Sequence, residues 1–269
     1  MKKILVLFPI FYLVIFTTFG QEKSVLYSEI QQAKQSNVTF ENVVLTAVSS
    51  DVEALKNFTN PSEVFFFGNI SLDMRNNNTK AMNLTIPMNN KSMVLELIEV
   101  PEHFYNYEVM TSDGNKFSAN RDIKHYRGVV KDEQNSLVAI TFYENEVMGL
   151  ICTDEGNFNI AKDNQSGKHL FYNDKNLKDK IHPICNTVDD PSLSYESEVL
   201  FKLRSNLSEQ MSMSRSPINK EVRFYVETEY DIYQTRGSIS SVEAFISGLF
   251  NQVAILYLNE DILTSISCL

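Results

Sequence analysis

Four histidines and three cysteines are the side chains of this sequence best suited to hold a metal or act as nucleophiles. His103, His125, His169 and His182 are scattered, and no two stand four residues apart. That spacing is what places two imidazoles on one helix face to grip zinc. His125 opens a β-rich run and His182 precedes Pro183, positions that suit structural or solvated imidazoles. Cys152, Cys185 and Cys268 are an odd set. In an oxidising compartment they predict one disulfide, with Cys152–Cys185 one such pairing, and one remaining thiol. No Gly-x-Ser-x-Gly elbow, phosphate-binding glycine loop or dinucleotide fingerprint occurs. By residue type and spacing, the chain carries no assembled catalytic constellation.

The elements around these residues fall into four parts. Residues 1–20 read as a secretory signal peptide. Lys2 and Lys3 precede an apolar run over 4–16, and Thr18 and Gly20 stand at the −3 and −1 positions of a cleavage site before Gln21. The run is shorter than the ~20 apolar residues of a bilayer span. Export therefore places the rest of the chain outside the cytoplasm, as a secreted protein. Residues 21–185 predict a β-rich antiparallel domain, with a short helix at 24–33 and then short apolar runs at 63–67, 81–88, 92–100, 105–110, 126–130, 136–143, 147–152 and 158–161. Tight polar turns join the last four into a meander. Residues 186–219, rich in serine, have the composition of a linker. Residues 220–269 switch to a strand over 221–227, an amphipathic helix and a strand over 262–266. Ser240 and Glu243 have capping-box spacing at the start of that helix. Its apolar face, with Phe245, Ile246, Leu249, Phe250 and Val253, is more than one strand pair can cover, and an exposed patch is expected. The fold class is thus α+β.

The composition, 43% hydrophobic, is that of a globular protein with a packed core. Net charge is −10, and loss of Lys2 and Lys3 with the signal takes it to −12. An acidic chain without a basic cluster argues against nucleic acid and anionic membrane surfaces as partners.

Two stretches carry a family resemblance. His125-Tyr126-Arg127-Gly128-Val129-Val130, Ser136-Leu137-Val138-Ala139-Ile140-Thr141 and Gly149-Leu150-Ile151 follow one another in order. This resembles the propeptide pattern of adamalysin/reprolysin-type zinc metallopeptidases, a metzincin family. The pattern runs roughly His-Tyr-x-Gly-x-Val, Ser-x-Val-Ala-Leu-Ser and Gly-x-Ile. Residues 221–269 are similar to the opening of that family's catalytic domain. The strand, the acidic Glu227 with Tyr230 and Tyr233 after it, and Leu249-Phe250-Asn251-Gln252-Val253 within the helix carry this second likeness. The family usually has Asp where Glu227 stands.

The resemblance implies a secreted metalloendopeptidase precursor. It comprises a propeptide over 21–185, a linker, and the first β-α-β of a catalytic domain over 220–269. The propeptide would aid folding and hold the protease latent, and the implied partners are the remainder of the protease domain and, for the full-length form, protein substrates. Zinc is expected for the full-length family member. The family's zinc motif, His-Glu-x-x-His-x-x-Gly-x-x-His, is absent from this sequence. The chain is therefore expected to bind no zinc and to be inert by itself. Cys185 stands where family propeptides place a thiol whose thiolate occupies the open zinc position. It is followed by Asn186, where the family usually has Gly. Glu221 matches a position that supplies a calcium ligand in some members. The rival expectation is a secreted, non-catalytic β-rich binding or adhesion module.

Overall fold

The computed structural model describes residues 23–49, 64–68, 79–89, 91–163, 166–178 and 221–269. The signal-peptide stretch, the serine-rich segment, His182 and Cys185 lie outside the described residues. The fold is α+β and dominated by strands. Helix α1 (Val25–Gln35) leads into strands β1 (Glu41–Val44), β2 (Phe65–Phe67), β3 (Ala81–Pro87) and β4 (Ser92–Glu99). After a 3₁₀ turn at Glu102–Tyr105 come β5 (Glu108–Met110), β6 (Lys116–Ser118), β7 (Lys124–Val130) and β8 (Leu137–Tyr143). Strands β9 (Glu146–Thr153), β10 (Gly156–Lys162) and β11 (His169–Asn173) follow. The C-terminal part holds β12 (Glu221–Tyr225), helices α2 (Tyr230–Arg236) and α3 (Ile239–Asn259), and β13 (Leu263–Cys268).

Nine strands form one sheet in the order β1-β3-β4-β7-β8-β9-β10-β11-β2. The predicted meander is there: β7, β8, β9 and β10 are antiparallel neighbours. Among the described strands of this sheet only β1 and β3 run parallel. The sheet curls until the residues after β1 bridge its two edges. Leu45 N–H donates to Thr85 O at 2.9 Å, and Val48 N–H donates to Phe66 O at 2.9 Å. Side-chain alternation then fills the enclosed space. Met82, Leu84 and Ile86 of β3 and Met93, Leu95 and Leu97 of β4 face inward with Tyr126, Ile140, Ile151 and Phe171. Each such burial contributes roughly 1.5–3 kcal/mol, and this interior is the main store of stability.

Gly128 and Gly149 lie inside strands rather than at bends. A Cβ on Gly128 would stand 1.9 Å from Glu96 O, and one on Gly149 would stand 2.5 Å from Ala139 O. Close approach of neighbouring strands is what requires glycine at both positions.

The outer face of β7 and β8 is covered too. Leu26 and Ile30 of α1 and Ile255 of α3 pack on Val129, Leu137 and Ala139. Strand β8 is therefore buried on both faces, and its sequence reads as a continuous apolar run.

Strands β12 and β13 pair in parallel with α3 between them in sequence, the β-α-β unit that the pattern predicts. This pair extends onto the hairpin β5–β6, giving a second sheet in the order β12-β13-β5-β6. Leu269 N–H donates to Glu108 O at 2.9 Å, and Met110 N–H donates to Leu269 O at 2.7 Å. Helix α3 packs through Phe250 and Ala254 on Ile266 of this sheet and against β8 on its other side. The β-rich part thus supplies cover that the strand pair lacks. Phe250 and Ile246 are buried, whereas Leu249 and Val253 remain exposed. Helix α3 is long and apolar enough to cross a membrane, but more than half of its most apolar stretch is buried, as in a core helix.

The helix start differs from the capping-box expectation. Ser238, not Ser240, is the N-cap, its Oγ accepting from Ser241 N–H at 3.1 Å. Glu243 does not fold back on the cap. Its carboxylate instead accepts from two donors in the interior, described next.

Candidate functional site

The seam between α3 and the curled sheet concentrates the polar groups of the interior. Glu243, Ser247 and Asn251 fall four residues apart, so they line one side of α3. Glu243 Oε1 accepts from Tyr107 O–H at 3.0 Å and from Asn120 N–H at 2.7 Å. Burial pushes its carboxyl above the usual range, and those two donors pull the other way. Burial also raises the Tyr107 phenol, reinforced by the neighbouring Glu243 charge, so the phenol stays a donor. Ser247 O–H donates to Glu243 O at 2.7 Å, closing the helix's own turn.

Asn251 is the centre of the seam. Its Nδ2 lies 3.3 Å from Tyr126 O, 3.4 Å from Ile140 O and 3.4 Å from Thr141 Oγ1. Its Oδ1 accepts from Arg127 Nε at 2.8 Å. One amide therefore ties α3 to both β7 and β8.

Arg127 projects from the outer face of β7 into a cleft of about 520 Å³. Helix α1 forms one wall with Glu29 and Ala33, and the end of β4 and the 3₁₀ turn form another with Val100 and Phe104. Ala254, Leu258 and Thr264 close the third side from α3 and β13. The Arg127 guanidinium lies 4.8 Å from the Phe104 ring centre, a cation–π contact. Its enclosed Nη2 has no hydrogen-bond partner among the described residues, nor has Thr264 Oγ1. Among the described residues no carboxylate lies within salt-bridge distance of Arg127. Burial pulls its pKa down to about 10, opposed by the Glu29 charge, so the side chain stays cationic. Glu29 is raised by burial despite the attraction of Arg127.

The sequence-flagged residues disperse. His103 sits exposed at the mouth of this cleft. His125 is fully buried, 2.9 Å from Thr141 Oγ1 through Nδ1, with its ring against Phe104 and Tyr105. Burial, then the positive charges of Arg127 and Lys124, lower its pKa to about 3, so the imidazole is neutral. His169 is buried on β11 and its Nε2 accepts from Val147 N–H at 3.0 Å. Cys152 and Cys268 are not joined to each other, and burial followed by the Asp174 charge raises the Cys152 thiol. Glu221 is an exposed carboxylate at the start of β12, on the rim of the cleft. Among the described residues no group of three His, Cys, Asp or Glu side chains stands together as a metal site. These residues do not fit a zinc ion.

Sequence reasoning passed over Arg127 and Asn251 and gave Glu243 the wrong task. A signal was present: Glu243, Ser247 and Asn251 interrupt the buried side of an otherwise apolar helix at a four-residue period. Arg127 likewise interrupts a strand of buried neighbours. Neither a family model nor a curated protein sequence matches the chain.

Proposed function

We propose that the chain is the exported precursor of a zinc metalloendopeptidase. On this reading the β-rich domain is a propeptide that templates the folding of the first β-α-β of the protease and keeps it latent. One observation carries the reading. The two stretches that resemble this family meet across the seam, where Asn251 of the helix is hydrogen-bonded to Tyr126, Arg127, Ile140 and Thr141 of the propeptide-like strands. A propeptide that lends cover to an incomplete catalytic unit would make such contacts. Leu249, Val253 and Leu256 leave an apolar stripe on the open side of α3, each at least 40% exposed, and the remainder of the protease domain is the partner proposed to cover it. Zinc belongs to that remainder, where it would serve as Lewis acid and water activator. Cys185 is the proposed latency thiol.

Reading the coding region beyond Leu269 tests the proposal. An in-frame His-Glu-x-x-His-x-x-Gly-x-x-His is expected, and its absence from every frame would sink the reading. For the complete protease, residues 21–219 added in trans should inhibit, and Cys185→Ser should weaken that inhibition. Unchanged inhibition would remove the thiol from the mechanism. The Arg127 cleft favours the second reading, a secreted β-rich binding module, because the precursor reading gives the cleft no task.

A further inference from the structure

Two buried polar groups on residues that line the cleft lack partners among the described residues. A guanidinium carries five N–H donors in a planar fork. Among the described residues the hydrogen bond from Nε to Asn251 is the one that Arg127 makes. Its Nη2 is sealed from solvent with no partner, although an unmet donor of a charged group is costly. Thr264 Oγ1 is a second unmet polar atom on the wall of the same cleft. Phe104 and Asn251 fix the plane of the guanidinium, so its free edge is pre-organised. Around it the walls are mixed, with Val100, Phe104, Ala254 and Leu258 on one side and polar groups such as Gln32 and Ser36 on the other, and about 520 Å³ lies within the range of small-molecule sites.

We propose that this cleft binds a small organic acid with an apolar body. Its carboxylate is held by the Nη groups of Arg127 once the side chains that enclose Nη2 shift to admit it, and its body lies among Val100, Phe104, Ala254 and Leu258. A carboxylate matches the planar fork in a way that a neutral group does not. Three carboxylates, Glu29, Glu99 and Glu221, also line the cleft and as anions oppose the incoming carboxylate, Glu29 being the one whose charge acts on Arg127. The proposal does not depend on the precursor reading, since it is argued from cleft residues that are all described.

Calorimetric titration of residues 21–269 with octanoate, octanamide and acetate tests it. One octanoate per chain is expected, with octanamide and acetate each at least tenfold weaker. Arg127→Lys keeps the charge but not the fork, and should weaken octanoate roughly ten- to hundredfold. Because Arg127 also anchors Asn251, a second variant guards against loss of fold. Ala33→Trp narrows the cleft from the α1 wall and should abolish binding while the thermal unfolding midpoint holds. Glu29→Gln should tighten octanoate. Equal binding of octanoate and octanamide, or octanoate binding untouched by Arg127→Lys and Ala33→Trp, would overturn the proposal. So would failure of octanoate to bind when a short peptide with a free C-terminal leucine does, because the site would then be a peptide groove.

Discussion

His125 shows how the seam dictates the chemistry of a side chain. Its ring is packed between Phe104 and Tyr105 and faces the cations Arg127 and Lys124, so protonation would place a third positive charge in a dry site. Folding holds the imidazole neutral down to about pH 3, whereas the unfolded chain protonates it near pH 6.5. Below that value the unfolded state takes up a proton that the folded state refuses, so stability falls on acidification. Between pH 7 and pH 5 this group should account for about 2 kcal/mol of loss. His169, also depressed by burial, acts in the same direction, while the raised carboxyls of Glu29, Glu133 and Glu243 act in the opposite one. Total stability against pH therefore mixes several groups, and the difference between variants isolates one. His125→Gln should lose about 2 kcal/mol less than the parent chain between pH 7 and pH 5 in urea unfolding. Equal losses would mean that His125 does not stay neutral in the folded protein.

At the scale of elements, α3 is positioned by its first turn and its polar side. Gly237 ends α2 in the left-handed conformation at φ 79°, and Ser238 immediately caps α3. Ser238→Ala should therefore cost about 1 kcal/mol in chemical denaturation, while Ser240→Ala should be near neutral. The reverse result would restore the capping box that the sequence suggests. The strands were legible where apolar residues alternated or ran on, as in β3, β4 and the meander from β7 to β10. Four elements were not read. Strand β1 (Glu41–Val44) is largely exposed and β6 (Lys116–Ser118) has three exposed residues, so neither shows a buried face to detect. Strand β11 carries His169 and Asn173 among its buried positions, which blurs its period. Helix α2 has only seven residues, none of them buried. The site was less legible than the fold, because Asn251 and Arg127 act through geometry across 124 residues of sequence. Single polar residues in apolar runs hint at such a partner without naming it.

For the molecule as a whole, the question is whether α3 and the curled sheet are one folding unit or two that touch. The chain pattern favours two, since strands dominate the first part and β-α-β the second. The contacts favour one. Helix α3 takes its cover from β8 on one side and from the β12-β13-β5-β6 sheet on the other, and that second sheet joins strands from both parts. A helix with buried polar groups cannot stay docked if either cover opens, because Glu243 and Asn251 would lose the donors and acceptors that offset their desolvation. Amide exchange followed by mass spectrometry should then give residues 244–255 and 137–143 the same opening free energy, the value for global unfolding. Asn251→Ala removes the acceptor of a charged donor and three contacts to the strands, and should lower both values together by about 2–3 kcal/mol. Two independent units would behave otherwise: α3 would exchange faster than β8, and the substitution would reach the helix alone. In that case the seam is a resting contact between finished parts, and the templating role proposed for the β-rich domain loses its physical basis.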